Sequence, residues 1–156
     1  MESIATTAHA ETVSRIPRLI AAYTRISLGV AFLSAVADRL GLWGPPGGPR
    51  VAWGDWSHFM AYVAVLNFFV PHWLVPALAV VATVAETGLG VLLLIGVWQR
   101  QVAALSALLL LAFALSMTLA LGVKAPLDAS VFAASAAAAM LFIWAGRASA
   151  ARSESS

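Results

Sequence analysis

An apolar run from Val75 to Val97, VPALAVVATVAETGLGVLLLIGV, constrains the fold more than any other stretch of this chain. It is long enough to cross a bilayer as a helix, the form in which a single segment satisfies its own backbone hydrogen bonds in hydrocarbon. Its one formal charge, Glu86, falls near the middle. A carboxylate at that depth costs on the order of 3 kcal/mol unless it is paired, protonated or turned toward the protein interior. Glu86 is therefore the first candidate for function.

The remainder of the chain has the same character: 62% of residues are hydrophobic and 10% charged, and the mean hydropathy is +0.90. This balance is that of a membrane protein. Nearly every long segment of the 156 residues is needed to cross lipid, which leaves no room for a separate soluble catalytic domain. Cysteine is absent, which excludes disulfides, thiolate metal sites, iron–sulfur clusters and a thiol nucleophile within this chain. The net charge of +2 rests on scattered Lys and Arg residues without a basic run, so nucleic acid is excluded as a partner. No flavin or metal motif is present, and no intrinsic cofactor is expected.

The expected fold is all-α: an integral membrane four-helix bundle with an interfacial or re-entrant helix between the first and second spans. Residues 1–14 read as a polar N-terminal tail and 147–156 as a C-terminal one. The spans are predicted at about 18–42, 75–97, 101–123 and 128–146, within a membrane domain of residues 15–146. Ala35-Val36-Ala37 resembles a leader-cleavage site, but Arg25 interrupts the preceding apolar region, and the segment reads as a first anchor. The Gly- and Pro-rich stretch Gly41 to Pro49 ends the first helix. Residues 55–70 are too short and polar for a span; Asp55 suits an N-cap, and Trp53, Trp56, Tyr62 and Trp73 are types enriched at the headgroup level. Asp128 reads as the N-cap of the fourth span, whose many small residues favour close helix packing.

With four spans both termini share one side. That side carries Arg15, Arg18, Arg100, Arg147 and Arg152 against Arg39, Arg50 and Lys124 on the other. The bias places both termini in the cytoplasm of a multi-pass protein of the bacterial inner membrane.

Arg25 and Glu86 are the charges well inside spans. With Arg18 and Trp98 as level edges, Arg25 lies roughly 10 Å deep and Glu86 roughly 18 Å, an offset an extended arginine could nearly bridge. Arg25, Gly29, Phe32, Val36 and Arg39 share one helical face, and Asp38 points away from it. The pair admits two readings: a structural ion pair that fixes packing, or a polar site in which Glu86 accepts a proton and Arg25 holds a carbonyl or anionic oxygen, as of a quinone. Glu86 could also be neutral and bonded to Thr83. Gly29, Thr83 and Gly90 are then ligand-facing or close-packing positions. Asp38 and Arg39 sit at the outer interface, either solvated, in a local salt bridge, or at the mouth of a cavity. His58 and His72 lie in the loop region, away from positions where axial ligands would hold a transmembrane haem.

The pattern Arg25-Ile26-Ser27-Leu28-Gly29-Val30-Ala31-Phe32-Leu33, then Asp38-Arg39-Leu40, then Glu86-Thr87-Gly88-Leu89-Gly90-Val91-Leu92-Leu93-Leu94-Ile95-Gly96 followed by Arg100, resembles the DoxX family of small four-span bacterial membrane proteins. The family's usual Gly-x-x-Lys after the first span is replaced here by Ala35-Val36-Ala37-Asp38-Arg39. The resemblance implies a membrane subunit linked to sulfur or thiol redox chemistry, related to the membrane part of thiosulfate:quinone oxidoreductase. The leading expectation is thus a non-catalytic membrane component of a redox or oxidative-stress complex, with soluble or membrane redox proteins as partners and quinone as a candidate ligand. A small proton-coupled transporter, a structural assembly protein and a homo-oligomer are the alternatives.

Overall fold

The computed structural model describes the backbone of residues 2–153 and the side chains of residues 17–147. Among these the chain is helical and without strands. Helix α1 runs Glu2–Arg39, α2 Trp56–Leu66, α3 Val75–Ile95, α4 Gln99–Leu121, α5 Lys124–Asp128 and α6 Val131–Ser153. A 3-10 turn, His72–Leu74, leads into α3. The expected tails, 1–14 and 147–156, lie outside the described side chains except for Arg147; their backbone, where described, continues α1 and α6.

Three segments are long and apolar enough to cross a membrane: Pro17–Arg39, His72–Ile95 and Gln99–Leu121. The fourth helix differs from expectation. Asp128 does not cap it but closes α5, where it pairs with Lys124 one turn away. Ser130, in the left-handed region at φ 56°, separates α5 from α6. The apolar part of α6, Val131–Arg147, is shorter than the other three. It nevertheless completes the bundle. Ala21, Leu28 and Phe32 of α1, Leu89 and Leu93 of α3, Val102 and Ala103 of α4, and Ala138 and Leu141 of α6 form one buried core.

The bundle consists of two tight antiparallel pairs. In the α4–α6 pair, Ser135 donates to the Ala107 carbonyl at 2.9 Å, and Arg100 at the start of α4 packs over Phe142 in the middle of α6. In the α1–α3 pair, the backbones touch at Gly29 and Gly90. A Cβ on Gly29 would lie 2.9 Å from the Gly90 carbonyl oxygen, and one on Gly90 would lie 3.0 Å from Leu33 Cγ. Small residues permit this approach, through which membrane helices gain dispersion contacts that lipid would otherwise supply. The α3–α4 connection turns on Gly96 (φ 82°) and Trp98 (φ 45°), a link short enough to force the antiparallel return.

Helix α1 stops at Arg39, short of the expected Leu42, because Gly41 adopts φ 76° and the chain folds back. Helix α2 covers the part of α3 that α1 leaves open, with Phe59 and Val63 buried against Val75 and Ala79. Asp55 caps α2 as expected, accepting from the His58 amide at 2.8 Å. That amide, with the His58 ring and the Ser57 hydroxyl, holds the Asp55 carboxyl down at about 2, so the cap is anionic across the physiological range.

The glycines yield opposite expectations for one substitution. Gly29→Ala meets backbone and should lower stability in detergent by about 1–3 kcal/mol through overpacking. Gly88→Ala meets no atom within 4 Å and should be neutral or raise stability by roughly 0.5–1 kcal/mol through helix propensity. Thermal or denaturant unfolding followed by circular dichroism checks both signs.

Candidate functional site

Glu86 is the twelfth residue of α3, about 16 Å along a helix about 31 Å long. Its partner is Arg39, the last residue of α1. Arg39 Nη2 donates to Glu86 Oε2 at 2.5 Å, and both side chains are 3% exposed. Arg39 Nη1 donates to Thr83 Oγ1 at 2.9 Å, and Thr83 in turn donates to the Ala79 carbonyl. The guanidinium carbon lies 3.9 Å from the Phe59 ring centroid and 5.2 Å from that of Trp53. Removal of water strengthens the attraction between a cation and an aromatic face. Arg39 is therefore held by α3 through charge and by the loop and α2 through their rings.

The neighbouring Asp38 faces the other way and does a complementary job. Its Oδ2 accepts the backbone amides of Ala52 and Trp53 at 2.9 and 3.0 Å, tying the returning loop to the end of α1. Asp38 and Arg39 are both buried. The solvated position expected for them is thus corrected: at the end of the apolar segment Pro17–Arg39 they are enclosed beneath the loop and α2.

Arg25 does not meet Glu86. Its Nη1 fills the space that a Cβ on Gly96, the left-handed residue that ends α3, would take. Ten residues separate Gly96 from Glu86, about 15 Å along the helix. The reason is a slip in register. Arg25, and not Arg18, is level with the end of α3, and Arg39, about 21 Å further along α1, is thereby brought beside Thr83 and Glu86. The face shared by Arg25 and Arg39 is as the sequence indicates; the residue on it that reaches Glu86 is one further along. Arg25 and Glu86 consequently do not form a common pocket. Gly29 and Gly90 are close-packing positions, and Thr83 is a ligand of the guanidinium.

The Glu86–Arg39 clamp is closed. An open, shallow groove between α2 and the start of α3 is lined by Met60, Ala64, His72 and Val75, and neither Arg39 nor Glu86 borders it. No group of three or more His, Asp or Glu side chains stands together to hold a metal among the described residues. Trp53 and Phe59 escaped the sequence reading as site residues, being counted as interfacial or core aromatics. The signal for them was the Asp38-Arg39 pair at a helix end, two charges that needed partners from the following loop.

Together these features define a polytopic helical membrane protein whose central carboxylate is neutralised by an arginine and roofed by aromatic rings. The family model described as methylamine utilisation protein MauE matches residues 17–130, and the chain belongs to this family. No curated protein and no solved structure matches it. The resemblance to the DoxX family is corrected accordingly, since the matched family is a different membrane family. The residues that suggested it include Gly29, Gly90, Arg39 and Glu86, which here serve helix approach and internal charge pairing, needs common to many membrane bundles.

Breaking one side of the clamp leaves a buried charge without its partner. Glu86→Leu and Arg39→Met should each lower stability in detergent by about 3–5 kcal/mol, whereas the two combined should recover most of the loss. Unfolding curves of the three variants, read as a double-mutant cycle, check the coupling.

Proposed function

We propose that the chain is a membrane-embedded accessory component of a redox system, in which a partner protein carries the electron-transferring group. Two observations support this reading. The family's description ties it to methylamine utilisation, and deaminating methylamine to formaldehyde and ammonia is a two-electron oxidation, which requires an electron acceptor. The chain itself has no cysteine, and its central carboxylate is engaged by Arg39 in a closed site. The closed clamp carries the proposal, because it suits a scaffold that shapes a surface for another protein better than a site that admits a substrate. In the bacterial cytoplasmic membrane, with both termini on the cytoplasmic side, the loop and α2 face the opposite compartment and offer that surface. The basic residues support this orientation: Arg18, Arg100 and Arg147 are exposed at the terminal end, while at the loop end Arg39 and Lys124 are engaged by Glu86 and Asp128 and Arg50 is exposed.

Affinity isolation from native membranes of cells grown with methylamine, followed by identification of co-purifying proteins, tests the proposal. A redox protein bearing a thiol pair or an organic cofactor should co-purify in stoichiometric amount. Recovery of this chain alone, with unchanged amine-oxidising activity in cells lacking it, would contradict the proposal.

A further inference from the structure

The charges outside the clamp are distributed unevenly. Where α1 enters, α3 ends, α4 begins and α6 ends, the described side chains include Arg18, Arg25, Arg100 and Arg147. The described carboxylates are elsewhere: Asp38, Asp55 and Asp128 belong to the loop end, and Glu86 is engaged by Arg39. None of the four arginines takes part in an ion pair among the described residues. Two are fixed by packing. Arg25 is half-buried against Gly96, with its Nε buried and without a hydrogen-bond partner. Arg100 lies over the Phe142 ring at 5.1 Å, with its Nε 3.6 Å from the position a Gly146 Cβ would take.

We propose that Arg25, Arg100 and Arg147 form a binding site for the phosphate headgroup of an anionic phospholipid at the terminal end of the bundle. A guanidinium is a fork of donors suited to phosphate oxygens, and holding it by stacking reduces the entropy lost on binding. The surroundings select a lipid over a soluble anion or an acidic protein segment. Trp98, on the turn between Arg25 and Arg100, is 70% exposed, and the exposed apolar side chains Ile95, Val97 and Ile143 lie beside the arginines. Phosphate-binding cations next to an aromatic anchor and an apolar wall match a molecule whose charged head continues into acyl chains.

The purified full chain in nanodiscs of phosphatidylcholine, with and without phosphatidylglycerol, tests the site by native mass spectrometry and thermal unfolding. The wild type should retain phosphatidylglycerol in preference to phosphatidylcholine and unfold at a higher temperature in its presence. The double variant Arg100→Gln with Arg147→Gln should reduce the preference about thirtyfold, the loss expected for two basic residues at a membrane surface, while Arg100→Lys with Arg147→Lys should retain most of it. Because Arg100 stacks on Phe142, a second variant, Arg147→Gln alone, tests an exposed member of the site and should also weaken the preference. Equal retention of the two lipids by the wild type, or an unchanged preference in both glutamine variants, would overturn the proposal. An equal thermal shift from inorganic phosphate alone would also overturn it, reassigning the arginines to a soluble anion.

Discussion

The Arg39–Glu86 pair is the contact on which the arrangement of the other elements depends. A carboxylate halfway along a spanning helix needs a partner that comes to it, because its own helix neighbours are apolar or already bonded to the backbone. Arg39 supplies the charge from the end of α1, and this requires α1 to stop at the level of the middle of α3. The remaining surface of α3 must then be covered by something else. The loop and α2 cover it, pinned by the Asp38 carboxylate through two backbone amides and by the Arg39 guanidinium through two rings. One pair of charges thus joins the end of one helix to the middle of another and to the element that covers both.

Much of this was legible in the residues. The apolar runs located the spans, the Gly- and Pro-rich stretch after Leu40 located the break, and Asp55 announced the start of α2. The helical face shared by Arg25 and Arg39 was visible from spacing alone, as was the separate direction of Asp38. The axial offset between α1 and α3 was not. Two apolar helices can slide past one another by a turn or two with little change in hydrophobic pattern, and the level edges assumed for Arg18 and Trp98 had no physical anchor. The anchors are tertiary: Gly29 against Gly90, and Arg25 against Gly96. The same degeneracy of apolar helices explains why the glycine and charge spacing suggested DoxX when the chain belongs to MauE.

The arrangement divides the molecule into two functional ends. At the loop end, charges are paired internally and aromatic residues roof them, leaving a shaped surface of loop and α2 above a closed clamp. At the terminal end, arginines remain without carboxylates among the described residues, next to an exposed tryptophan. The two proposed roles follow this division: the loop end would meet a redox partner and the terminal end anionic headgroups. The buried pair also contributes to the shape of the loop surface, together with the Asp38 carboxylate and the packing of α2 on α3.

The account's central claim is that Arg39, and not Arg25, neutralises Glu86. Solid-state NMR of the full chain in lipid bilayers, measuring the dipolar coupling between 15N in the arginine guanidinium groups and 13C in the Glu86 carboxyl, tests it without disturbing the fold. A strong coupling that disappears in Arg39→Lys and persists in Arg25→Lys is the predicted result. A coupling that disappears in Arg25→Lys, or no arginine coupling to Glu86 in the wild type, would contradict the account.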